Sequence, residues 1–229
     1  MKKVLVVVTS HRQLGNTGKP TGYYLPEVSH PFFALEEKGF GVDFLSPQGG
    51  KAPMDEDSRD LEDPFNRAFL ERADLVEKLN HTLKPDEVEV QEYGAIFFAG
   101  GHGTMWDFPE SEKLSEITAR IHERGGIVAS VCHGQAALVN VRLSSGKYLV
   151  DGKDLTAFSN DEEEAAGLTR VVPFLLESKL RERGANYSKA GLWQEKVVVS
   201  DRLITGQNPA SAKKVGEEIA RLLLQEYRL

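Results

Sequence analysis

Short apolar runs rich in β-branched residues alternate along this chain with longer amphipathic stretches. The runs Lys3 to Val8, Gly41 to Leu45, Ala95 to Ala99 and Ile127 to Val131 read as strands, with Lys196 to Val199 and Leu203 to Thr205 as a late pair. Amphipathic segments fall near Glu27 to Lys38, Pro109 to Glu123, Val172 to Arg183 and Pro209 to Tyr227. The last is the clearest helix, because Ala212, Val215, Ile219, Leu222 and Leu223 recur near the helical period with charge on the opposite face. The alternation predicts an α/β fold, a doubly wound and mostly parallel sheet with helices on both faces. The stretch 46–92 breaks the rhythm with a polar acidic loop, Met54 to Asp60, and a helix-like Phe65 to Leu79 whose apolar side carries Phe69, Leu70, Ala73, Leu75 and Leu79. We read it as a small insertion capping one end of the sheet, within one domain spanning 1–229.

Composition narrows the function classes. A chain of 229 residues with 40% hydrophobic content can bury one sizeable core. Its net charge of −7, with 35 acidic against 28 basic residues, argues against nucleic acid as a partner. The apolar run after Met1-Lys2-Lys3 stops at Thr9-Ser10-His11-Arg12, too short for a signal core or a membrane span, so a cytoplasmic protein without membrane attachment is expected. A single cysteine rules out an internal disulfide framework, zinc-site spacings are missing, and no metal is expected.

In an open parallel sheet ligands gather at the carboxyl ends of the strands. Three such ends carry chemistry here. Cys132-His133 follows the strand ending at Val131 and precedes Gly134-Gln135-Ala136-Ala137-Leu138-Val139, which reads as a helix. A sharp strand-to-helix turn there would expose the thiol and aim helical N–H groups at it, lowering its pKa and stabilising an oxyanion. A buried structural cysteine fits the local sequence as well. After the third strand comes Gly100-Gly101-His102-Gly103, whose bare backbone can approach a ligand; it matches neither a phosphate-binding loop nor a dinucleotide fingerprint, so no nucleotide cofactor is expected. After the first strand a loop, Thr9 to Leu25, leads to Pro26-Glu27 and can carry a carboxyl group into the same crevice.

Five ordered motifs carry a resemblance over nearly the whole chain: Thr21 to Glu27 with His30-Pro31-Phe32, Phe98 to Gly103, Val131-Cys132-His133-Gly134, Ala157 to Glu164, and Thr205 to Ser211. The chain resembles the ThiJ/PfpI superfamily, relatives of the class I glutamine amidotransferases, in the branch of heat-shock chaperone-like proteins and glutathione-independent glyoxalase III enzymes. The resemblance implies a flavodoxin-like fold, a homodimer, Cys132 as nucleophile, His133 as its neighbour and Glu27 as the acid facing the thiol. It also implies a carboxylate orienting His133, drawn from Asp161, Glu162, Glu163 and Glu164; the branch pattern favours Glu163, with Glu162 as the reserve.

On this reading methylglyoxal, a small dicarbonyl, adds to Cys132 as a hemithioacetal whose oxyanion is held by N–H groups of Gly101 and His133. Glu27 or His133 moves the adjacent proton, and water hydrolyses the lactoyl thioester to lactate without glutathione, metal or redox cofactor. Glu27, enclosed by Tyr23, Tyr24 and Phe32, is expected to have a raised pKa. His102 is a substrate contact or a solvated loop residue; Trp106 and Phe108 wall the crevice or simply pack; His30 caps the helix or supports the site; Asn208-Pro209 supplies a cap and a first-turn proline. The alternatives are a holding chaperone, a deglycase using the same residues, and a Cys-His-acid peptidase or amidase, which would need an open groove.

Overall fold

The computed structural model describes residues 3–226, and every strand expected from the sequence is present. The described elements are β1 (Lys3–Val7), α1 (Pro26–Glu36), β2 (Val42–Leu45), α2 (Pro64–Glu71), α3 (Ala73–Asn80), β3 (Tyr93–Phe98), α4 (Thr104–Asp107), α5 (Glu112–Glu123), β4 (Ile127–Val131), β5 (Asp154–Leu155), α6 (Asn160–Ala165), α7 (Leu176–Glu182), β6 (Asn186–Tyr187), β7 (Val197–Ser200), β8 (Leu203–Gly206) and α8 (Ala212–Glu226). The main sheet runs β2-β1-β3-β4-β8-β7, all parallel except β7, which pairs antiparallel with β8 at the edge; β5 and β6 form a separate parallel pair. This is the flavodoxin-like order with β8 as the fifth strand. The expected end of the last helix at Tyr227 lies outside the described residues.

The continuous apolar strands are explained by burial on both faces. Along β1, Val4 and Val6 join the cluster covered by α1 and α8, whereas Leu5 and Val7 join the cluster covered by α5. α1 and α8 cross closely enough that a side chain at Gly216 would meet the backbone of Pro31. Among the described residues no helix is long and apolar enough to cross a membrane.

Two helical expectations need correction. The stretch from Phe65 to Leu79 is two helices, broken at Arg72, whose backbone is extended (ψ 100°). Arg72 there holds both oxygens of Asp74 and reaches Glu36 on α1, while Phe69, Leu75 and Leu79 are buried and Ala73 is exposed. The segment after Cys132 is a 3₁₀ turn over Cys132–Leu138 instead of an α-helix. All seven residues are buried, and a side chain on Gly134 would strike the carbonyl of Phe98, so the chain turns tightly against β3.

Candidate functional site

Cys132 sits at the end of β4 with φ 60°, a left-handed conformation that costs a non-glycine residue about 1–2 kcal/mol. Buried hydrogen bonds hold the bend: the Phe158 N–H donates to the Cys132 carbonyl (3.2 Å), Thr104 Oγ1 donates to the His133 carbonyl (2.9 Å), and Gln135 Nε2 donates to the carbonyls of Thr156 and Gly206 (2.9 and 2.7 Å). Strands β4 and β8 and the segment after β5 therefore converge on one strained turn, which persists because its surroundings over-determine it.

Glu27 enters from the opposite direction, in the first turn of α1, and is wholly buried. Its Oε2 accepts from the Gly100 N–H at 2.6 Å, and the Tyr24 N–H donates to the Gly100 carbonyl at 3.0 Å, so the loop after β1 is stitched to the glycine turn after β3. The Cys132 thiol faces this carboxyl, whose Oε1 has no hydrogen-bond partner among the described residues. Burial pushes the Glu27 carboxyl up to about 8, against the lowering effect of the Cys132 and Gly100 hydrogen bonds. A β-carbon at Gly100 would meet Glu27 Oε2 and the Val131 carbonyl. Gly100→Ala is therefore expected to lose about 1–3 kcal/mol of stability through overpacking, measurable by urea unfolding, and to displace the carboxyl from the sulfur.

The expectation of an exposed, low-pKa thiol is overturned. Cys132 is 4% exposed, and burial together with the adjacent Glu27 carboxyl pushes its thiol up, with only the His133 backbone N–H among the principal causes acting to lower it. Two anions cannot share so dry a site, so the Glu27–Cys132 pair retains protons at neutral pH. His133 Nδ1 lies 3.4 Å from Cys132 Sγ, and His133 Nε2 lies 2.7 Å from Glu163 Oε2. Burial, reinforced by His102, lowers the His133 pKa, leaving the ring neutral. Burial alone would raise Glu163, but His133 and His102 hold its carboxyl well below the usual range. An ionised carboxylate only accepts, so His133 carries its hydrogen on Nε2 and turns a lone pair to the sulfur.

The acid cluster sorts itself by contact. Glu163 meets His133. Glu162 closes a capping box with Ser159 through its Oε2 (2.9 Å), while its Oε1 accepts from the Trp193 N–H (3.0 Å) and Asn208 Nδ2 (2.8 Å). Asp161 pairs with Lys189 at the surface and Glu164 is exposed. The Ser159-x-x-Glu162 spacing is the sequence signal that could have set Glu162 aside. Asn208 makes no side-chain cap to the following helix, since its amide is engaged by Glu162 and by the Gln194 carbonyl (2.8 Å). His30 bonds Asp63 at 2.7 Å, Trp106 stacks on His11, and Phe108 is buried against Phe98; none of the three lines the cavity.

Cys132, His133, His102 and Gly101 open onto a cavity of about 470 Å³. Among the described residues none accepts from the Gly101 N–H. Its lining includes apolar Phe158, Leu168 and Trp193 and an acidic rim of Asp55, Glu56 and Asp57. The sequence reading missed this rim, because the stretch 46–92 reaches the site only through long-range contacts, Thr21 Oγ1 to Asp55 Oδ2 (3.2 Å) and the Tyr23 N–H to the Pro53 carbonyl (2.9 Å). It also missed Trp193, which has φ 60° and packs at 5.6 Å against Phe158 with the rings tilted by 53°, Phe158 itself being 4.2 Å from the His133 ring. His102, His133 and Glu163 bring metal-ligating atoms within 4.8 Å of one another. Glu163 joins the two rings through hydrogen bonds of 2.8 Å to His102 Nε2 and 2.7 Å to His133 Nε2.

Comparison with known proteins places this geometry among relatives. The chain is 34% identical to the glutathione-independent glyoxalase HSP31 of Saccharomyces cerevisiae, over 92% of this chain and 93% of that protein. It superposes on the Rapid Encystment Protein 24 kDa of Francisella tularensis with a TM-score of 0.94 and 42% identity, covering 97% and 99% of the two chains. It matches glyoxalase III of Candida albicans with a TM-score of 0.88 and 28% identity, covering 96% of each. The DJ-1/PfpI family model matches residues 21–222, a span that takes in Glu27, the glycine turn, the strained cysteine and its histidine partner, and the chain accordingly belongs to the DJ-1/PfpI family.

Proposed function

We propose that this protein converts methylglyoxal to lactate without glutathione, with Cys132 as nucleophile. The observation that carries the reading is the flanking of one sulfur by a wholly buried carboxyl, raised to about 8, and by an imidazole whose far nitrogen is tied to an ionised carboxylate. The similarity to proteins named as glutathione-independent glyoxalases supports it.

The thiol adds to the aldehyde carbon as His133 Nδ1 takes its proton and Glu27 gives its own to the aldehyde oxygen. The N–H groups of Gly101 and His133 steady the charge that develops there. Glu27, now ionised, removes the remaining hydrogen from that carbon, and the His133 imidazolium protonates the neighbouring carbonyl oxygen to give an enediol. Glu27 then returns the proton to the second carbon while His133 takes one from the first hydroxyl, leaving a lactoyl thioester. The first carbon is oxidised and the second reduced, so no external redox partner enters. A carboxyl with a pKa near the working pH suits both roles. The cavity falls in the range of small-molecule sites.

Incubating purified protein with methylglyoxal in glutathione-free buffer is expected to yield one lactate per methylglyoxal consumed, scored by an enantiomer-specific assay. Consumption without lactate, or no consumption above buffer, overturns the reading.

A further inference from the structure

We propose that His102 is a second catalytic base, which activates water for hydrolysis of the lactoyl thioester on Cys132. The proposal rests on the glyoxalase reading and addresses the half-reaction for which that reading names no base that water can reach.

Glu163 uses both oxygens on imidazoles: Oε2 on His133 Nε2 at 2.7 Å and Oε1 on His102 Nε2 at 2.8 Å. The same argument that orients His133 orients His102, since a carboxylate can only accept and the Nε2 of each ring must carry the hydrogen. Each ring then offers a lone pair at Nδ1. The two are differently placed. His133 is 1% exposed and its Nδ1 faces the sulfur, whereas the His102 side chain is 18% exposed and lines the cavity, with no described residue bonded to its Nδ1. The rings lie 4.1 Å apart, so both bases border one reacting centre. His102 is held there by Gly101, whose φ is 109° and whose bare α-carbon sits against Gly22, Tyr23 and Tyr24.

The two halves of the reaction make opposite demands. Proton shuffling along the hemithioacetal needs a dry base, and Glu27 is fully enclosed. Hydrolysis needs a base that water can reach. In this step the His102 Nδ1 takes a proton from water, the water oxygen bonds to the thioester carbon, and the carbon–sulfur bond breaks. The proton then passes to the departing sulfur, which regenerates the thiol and releases lactic acid. Glu163 stabilises the transient His102 imidazolium, as it does that of His133.

His102→Gln, which retains an N–H for Glu163, is expected to slow steady-state lactate formation about a hundredfold or more while still forming the thioester. Mixed with excess methylglyoxal, the variant should accumulate close to one adduct per protein by intact mass. After free methylglyoxal is removed by gel filtration, hydroxylamine should release that adduct as lactohydroxamate, because this nucleophile needs no base. His102→Ala should behave alike and be rescued by added imidazole. Unchanged turnover, or lost turnover with no hydroxamate in either variant while both keep the wild-type melting profile, overturns the proposal. Wild-type protein run alongside separates the two readings: absence of lactate from wild type overturns the glyoxalase assignment, and with it this step.

Discussion

Cys132→Ser is expected to lower lactate formation from methylglyoxal by about four orders of magnitude or more, the scale on which removal of a nucleophile acts in a residue set that works as a unit. A hydroxyl at this position would keep the hydrogen bond toward His133 but resist deprotonation far more than a thiol. The neutral His133 is a weak base whose strength comes from Glu163 behind it. The effect should lie in kcat and not in folding, because the fold of the bend depends on Phe158, Thr104 and Gln135 and not on the sulfur. Cys132→Gly provides the complementary measurement. It abolishes turnover and relieves the positive φ, so a stability gain of up to about 1 kcal/mol is set against the loss of a small buried side chain. Lactate formation by either variant within tenfold of wild type would remove the cysteine from the mechanism.

Glu27→Gln is expected to reduce kcat by about 10²–10⁴, the range for loss of a positioned acid–base group, and at the same time to stabilise the fold in a pH-dependent way. The amide oxygen can keep the Gly100 N–H, so the local structure survives. In the native protein burial raises this carboxyl from 4.5 to about 8. Below pH 4.5 it is protonated both folded and unfolded, and it contributes no pH dependence. Between those two values the unfolded chain releases a proton that the folded chain retains. Stability therefore falls as pH rises, at a limiting slope on the order of 1.4 kcal/mol per pH unit for one such group, and levels off above about 8. The glutamine variant lacks this dependence. Its unfolding free energy should match wild type near pH 4.5 and exceed it by a few kcal/mol at pH 8, as read from urea titrations at the two pH values. Equal pH profiles for the two proteins would show that Glu27 is an ordinary exposed carboxylate. Such a trade of stability against activity is common where a titratable group is held out of water for chemistry.

Much of this architecture could be read directly from the chain. A strand buried on both faces has to be largely apolar, and Val4 to Val7 and, apart from Ser130, Ile127 to Val131 are, so the strand positions followed within a residue or two. Cys132 could be placed at a bend because an apolar run ends there and Gly134 follows, and the left-handed φ agrees. Helix detail was less legible. Arg72 at the helix break contacts Glu36, a residue far away in sequence, and the tight turn after Cys132 lies against β3.

The order of elements and the mostly parallel sheet were written in the amino-acid sequence, since periodicity is a local property, whereas the meeting of Glu27 with Cys132 was implied by the family resemblance. Only the folded structure decided which of four consecutive acids meets His133, that an acidic rim from the stretch 46–92 closes the cavity, and that the thiol is pushed up instead of down. Those outcomes depend on desolvation and on contacts between residues distant along the chain. Burial and long-range proximity are set by the whole packed molecule, and no local window of residues contains them.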